Sequence, residues 1–166
     1  MNPQADSVIY DFSQHLNSEA WHIVNDGVMG GFSKGKMAIN AAGNALFEGF
    51  ITTENSGGFS SVKHAFPEKL VSNYKSVLLR IKGDGKMYQF RIKERLEQPF
   101  SYIHEFQTSG EWETIRIPLA AFYPSFRGHT LNMPNYNGES MQEVTFLIGN
   151  KKKEYFALEI ERIWLE

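Results

Sequence analysis

The chain has 166 residues, a formal net charge of −2 at pH 7 and no cysteine. That length supports one ordinary hydrophobic core, and the near-neutral charge gives no electrostatic case for nucleic acid or an anionic membrane. Lack of thiols excludes disulfides, thiolate metal sites and cysteine nucleophiles.

The start, Met1-Asn2-Pro3-Gln4-Ala5-Asp6-Ser7, is polar and carries no basic residue. It reads as neither a secretory signal nor an Arg-rich transit peptide. No apolar run approaches membrane-spanning length, so the expectation is a cytoplasmic protein with no membrane insertion. Strands are predicted over 8–12 and 21–25, with a short helical turn around 13–20 between them. A loop dense in glycine and hydrogen-bonding side chains follows from Asn25 to Ser33, and then strands over 33–39, 45–52 and 58–65. A second helical turn is expected around 67–74. Val77, Leu79 and Ile81 alternate with Leu78, Arg80 and Lys82, as Tyr88, Phe90 and Ile92 do with Gln89, Arg91 and Lys93. Between the two runs stands Gly83-Asp84-Gly85-Lys86, which predicts a hairpin pairing them as neighbours. Strands over 102–108 and 113–118 come next, followed by the proline-punctuated connection Phe122-Tyr123-Pro124-Ser125-Phe126-Arg127-Gly128. Strands over 143–148 and 156–165 close the series, the last with a phase shift by Ile163 that suggests a bulge. No window of helical length keeps a 3.6-residue period with caps. The reading is one all-β domain over 1–166, an antiparallel β-sandwich.

The chemistry-bearing patterns mostly dissolve on inspection. Gly30-Gly31-Phe32-Ser33-Lys34-Gly35-Lys36 matches phosphate-loop spacing up to its lysine. Met37 then stands where a Ser or Thr should hold magnesium, and a strand follows instead of a helix. His15, His22, His64, His104 and His129 form no zinc motif, although His64 and His104 could meet across a sheet. No Gly-x-Ser-x-Gly elbow is present, and no local motif pairs two carboxylates for glycoside hydrolysis. Neither a cofactor nor a metal is therefore expected. The loop is the better candidate, because its irregular backbone must be satisfied by its own side chains or by something bound. Asn25, Asp26, Met29 and Ser33 are its candidate binding residues. The stretch Gly57-Gly58-Phe59-Ser60-Ser61 adds Phe59 and Ser61, either as a strand start or as a close approach to the loop. Arg127, beside Gly128, can pair with Asp26 or with a ligand carboxylate. Tyr88 is a candidate with Trp21, Tyr102 and Trp112, whose rings can stack on sugars. The expectation is that the loop lies against residues 57–61 or 126–128.

On these residues the chain resembles the complex I intermediate-associated protein 30 family. The resemblance rests on Trp21, then Asn25-Asp26-Gly27-Val28-Met29-Gly30-Gly31-x-Ser33, Phe47-x-Gly49 and Gly57-Gly58-Phe59-x-Ser61. It continues through Gly83-Asp84-Gly85-x-x-Tyr88, Phe106 with Trp112, Pro118 with Phe122, and Phe126-Arg127-Gly128, covering about 8–163. It implies a galactose-binding-like jelly roll, related in architecture to carbohydrate-binding modules. It also implies a non-catalytic, assembly-factor-like module that holds a protein partner, linked to respiratory complex assembly. The eukaryotic members are mitochondrial, and the lack of a targeting extension suggests a stand-alone, bacterial form. The alternative is a carbohydrate- or small-ligand-binding module using the concave face of the sandwich.

Overall fold

Period-two alternation becomes strand wherever one set of side chains can be buried. The computed structural model describes residues 7–15, 18–29, 31–54 and 58–166, without the side chains of Ser18, Val28 and Met29. Along the described chain run β1 (Val8–Asp11), β2 (His22–Asn25), β3 (Lys34–Ile39), β4 (Ala45–Ile51), β5 (Ser60–Leu70), β6 (Ser76–Lys82) and β7 (Met87–Lys93). After them come β8 (Ser101–Gln107), β9 (Trp112–Pro118), β10 (Tyr123–Phe126), β11 (His129–Thr130), β12 (Ser140–Ile148) and β13 (Glu154–Leu165).

The strands form two sheets in which every pairing is antiparallel. The first has the order β3-β4-β13-β6-β9, with β1 also paired to β13; the second runs β11-β10-β8-β7-β12-β5-β2. The inward sets meet in one core. Phe47, Leu79, Ile81, Leu158 and Ile160 come from the first sheet, and Val62, Phe90, Ile92, Phe146 and Ile148 from the second; all are fully buried. Burying each such side chain is worth about 1.5–3 kcal/mol. This is the expected antiparallel sandwich.

Five local expectations need correction or refinement. The Asp84-Gly85 step does not pair its flanking strands: β6 lies in the first sheet between β13 and β9, and β7 in the second between β12 and β8. The turn is a corner between sheets. Gly83 packs so closely there that a Cβ would sit 2.3 Å from the Thr108 Cβ. Gly85 N–H donates to Thr108 Oγ1 (3.0 Å), and Ala157 N–H of β13 donates to Asp84 Oδ2 (2.8 Å).

The helical turn expected around 67–74 is reduced to a single turn closed by Tyr74 N–H donating to Val71 O (3.0 Å), because β5 continues to Leu70. Beyond Lys63 that strand has no partner in β2, so Pro67 removes no ladder bond on that side. Phe66, Pro67 and Glu68 together stand opposite Gln142 alone, an irregularity that absorbs the proline. Around 13–20 a short 3₁₀ turn spans Ser18–Ala20. The connection over 122–128 contains β10, paired to β8, and the bulge in β13 lies between Ile160 and Arg162 opposite β6.

Candidate functional site

β2 ends at Asn25, and a 3₁₀ turn over Asp26–Met29 carries the chain away from the sheet. The Asp26 side chain turns inward and has no exposure at all. Its Oδ1 accepts the Ser33 N–H (2.9 Å), and its Oδ2 accepts those of Gly58 (2.6 Å) and Phe59 (3.4 Å). Its own N–H donates to Phe59 O (3.2 Å), and its carbonyl accepts Gly31 N–H (2.9 Å). Burial pushes the carboxyl up, but hydrogen bonds from Ser33, Gly58 and Phe59 outweigh it and hold Asp26 below the ordinary carboxylate range.

The neighbouring side chains complete the same tie. Ser60 Oγ donates to Asn25 Oδ1 (2.5 Å), and Ser61 Oγ donates to Val24 O (2.8 Å). Ser33 Oγ donates to Thr52 O (3.2 Å) and accepts Thr52 N–H (2.9 Å). The loop and the 58–61 segment therefore lie together, tied by the Asp26, Asn25 and Ser61 bonds. Gly30 and Gly57 lie outside the described residues, as does the Met29 side chain.

The remaining candidates are elsewhere. Asn25 pairs with Ser60 at one end of the second sheet and beside its β2 edge. Arg127 follows β10 near the opposite edge and beyond the opposite end, past the Ser125–Ser101 pair. The two corners are diagonal, so Asp26 and Arg127 do not pair. Arg127 is exposed, adopts φ 50° and covers the Phe126 ring at 5.2 Å. Tyr88 is buried in the core, where its hydroxyl donates to Asp84 Oδ1 (3.0 Å); burial first, and Asp84 second, push its pKa far up. Trp21 and Tyr102 are buried too, whereas Trp112 lines a surface cleft beneath Arg80. His64 stacks on Trp21, and its Nδ1 lies 2.8 Å from Ala20 O; His104 packs on Phe122, and the two histidines do not meet.

The outer face of the second sheet holds residues the sequence reading passed over. Register sets Thr145 between Arg91 and Lys63, Leu147 between Gln89 and Ser61, and Ile103 between Arg91 and Tyr123. Arg91 Nε and Nη2 donate to Gln89 Oε1 at 3.0 and 2.7 Å. The Tyr123 hydroxyl donates to Glu105 Oε1; burial and that carboxylate push its pKa up to about 12. Burial lowers the pKa of Arg91 against the pull of Tyr123 and Glu105. The outward positions of β7 and β8 were the available signal: Gln89, Arg91 and Glu105 alternate with the core residues.

The family model for complex I intermediate-associated protein 30 matches residues 10–160. The mouse mitochondrial protein of that name is 24% identical over 94% of this chain and 55% of its own length. A probable Caenorhabditis elegans counterpart is 26% identical over 94% of this chain and 53% of its own. The chain thus spans about half the length of these curated relatives. Among solved structures, a family 11 carbohydrate-binding module from Clostridium thermocellum, in complex with a β-1,3-1,4-mixed-linked tetrasaccharide, superposes with a TM-score of 0.69. It is 18% identical, and the match covers 96% of this chain and 94% of the module. The fold is the galactose-binding-like jelly roll. Among the described residues no helix is long and apolar enough to cross a membrane.

Proposed function

The chain belongs to the complex I intermediate-associated protein 30 family, and on that premise we propose that it is a non-catalytic interaction module that binds a partner polypeptide. The partner class suggested by the relatives' name is an incompletely assembled respiratory complex, met here in the cytoplasm. The binding surface is the outer face of the second sheet, with the Asp26 loop framing one corner and Arg127 the diagonal one. One observation carries this choice. Gln89, Arg91, Glu105 and Tyr123 form linked, half-buried polar pairs around the apolar floor of Ile103 and Leu147, all on strands. Groups held on rigid elements lose little entropy on docking. The partly desolvated guanidinium of Arg91 is the kind of anchor that dominates protein interfaces.

The test is affinity capture from the source cells followed by mass spectrometry, for wild type and Arg91→Ala, with melting curves for both. Respiratory-complex subunits captured by the wild type and lost from Arg91→Ala, at similar melting temperature, support the reading. Equal capture by both proteins, or no respiratory subunit at all, sinks it.

A further inference from the structure

The first sheet also has an outer face, and two aromatic rings stand on it unburied. Tyr155 is 80% exposed and Phe50 38%. They are register partners on β13 and β4, with ring centroids 6.2 Å apart and planes inclined at 60°. We propose that these rings, with the Asp84 corner beside them, form a binding site for a neutral saccharide, with a pyranose ring stacked on the aromatic pair.

The cleft beside the rings has a volume of about 440 Å³, within the range of small-ligand sites. Its floor is low because Ala157, two residues after Tyr155 and on the same face, projects only a methyl group. The rim consists of two charge pairs, Lys36 Nζ to Glu48 Oε1 at 3.7 Å and Lys86 Nζ to Asp84 Oδ2 at 3.5 Å. Two ammonium groups and two carboxylates sum to zero, so nothing in the rim favours a phosphate or a polycation. They do supply donors and acceptors for hydroxyl groups.

A pyranose matches this layout because one face presents C–H groups and its edge presents hydroxyls. An aromatic ring that is apolar on its face and wet at its border takes the first, and the charged rim takes the second. A protein partner fits less well. Interface cores are depleted of charged residues, and here charge closes in directly around two rings. The site is independent of the partner-protein surface, which lies on the other sheet.

Titration of the full 15N-labelled chain with cellotetraose, galactotriose and mannotriose, followed by NMR, tests the assignment. At least one of these should shift the amide signals of Phe50, Tyr155 and Ala157. Tyr155→Ala should weaken that binding roughly tenfold, the scale of one aromatic stacking contact. Tyr155→Phe should retain it, and both variants should melt with the wild type. The assignment is overturned if none of the three produces shifts, if Tyr155→Ala binds as well as wild type, or if the shifts map to the second sheet instead.

Discussion

Two Asp-Gly steps, Asp26-Gly27 and Asp84-Gly85, perform the same task in different surroundings. Each carboxylate reaches across to a segment distant in sequence and accepts its backbone N–H: Gly58 and Phe59 for Asp26, Ala157 for Asp84. Asp26 does so without exposure and, among the described residues, away from any ammonium group, whereas the Asp84 side chain is 19% exposed and also faces Lys86. A conspicuous aspartate in a glycine-rich loop can thus be an extension of the backbone hydrogen-bond network. What separates the two is how readily water can replace the carboxylate once it is removed.

Asp26→Ala should be the most damaging change, because three N–H groups around a fully buried carboxylate lose their acceptor. A loss of about 3 kcal/mol or more is expected in urea denaturation. Asp84→Ala should cost less, about 1–2 kcal/mol, since water can reach part of its place. Equal losses for the two would erase the distinction drawn between them. Acid should sharpen it. The folded pKa of Asp26 lies below its unfolded value, so its contribution is complete above the ordinary carboxylate range and drains away as pH falls through the folded value. Stability measured from pH 6 down to below about 4 should therefore fall more steeply in wild type than in Asp26→Asn. The smallest effect belongs to Arg127→Ala. With no carboxylate partner at Asp26, the unfolding free energy in urea should barely move, within about 0.5 kcal/mol.

The sandwich was legible because runs such as Tyr88–Ile92 alternate and bury one face, and Val77–Ile81 keeps the same phase although Leu78 is buried as well. The partners of those runs were not legible. An Asp-Gly step between alternating strands is compatible with a hairpin and with a corner, and contacts with Thr108 and Ala157, far along the chain, decide for the corner. Pro67 and Pro124 hid parts of β5 and β10, because proline argues against a strand until the neighbour on its N–H side is known. The meeting of the Asp26 loop with residues 58–61 followed from the need to satisfy an irregular backbone. Where Arg127 lies did not, since only the strand order puts it on the diagonal corner. Gln89 and Arg91 stood in the sequence only as the polar half of an alternation, and Glu105 as an isolated carboxylate. The Gln89–Arg91 bond lies within one strand, but the approach of Arg91 to Glu105 and the Glu105–Tyr123 bond depend on cross-strand register.

The strand β13 pairs along one side with β4 and then β1, and along the other with β6. All three lie before it in the chain, β1 more than a hundred residues earlier. During synthesis they emerge before the strand that joins them, and the first sheet cannot close until β13 has left the ribosome. In that interval β4 can pair with β3 and β6 with β9, but β1 and the β13-facing edges of β4 and β6 present backbone donors and acceptors with no partner, the condition under which nascent chains associate wrongly. Such a molecule folds late, and its half-made form is the one most in need of a chaperone.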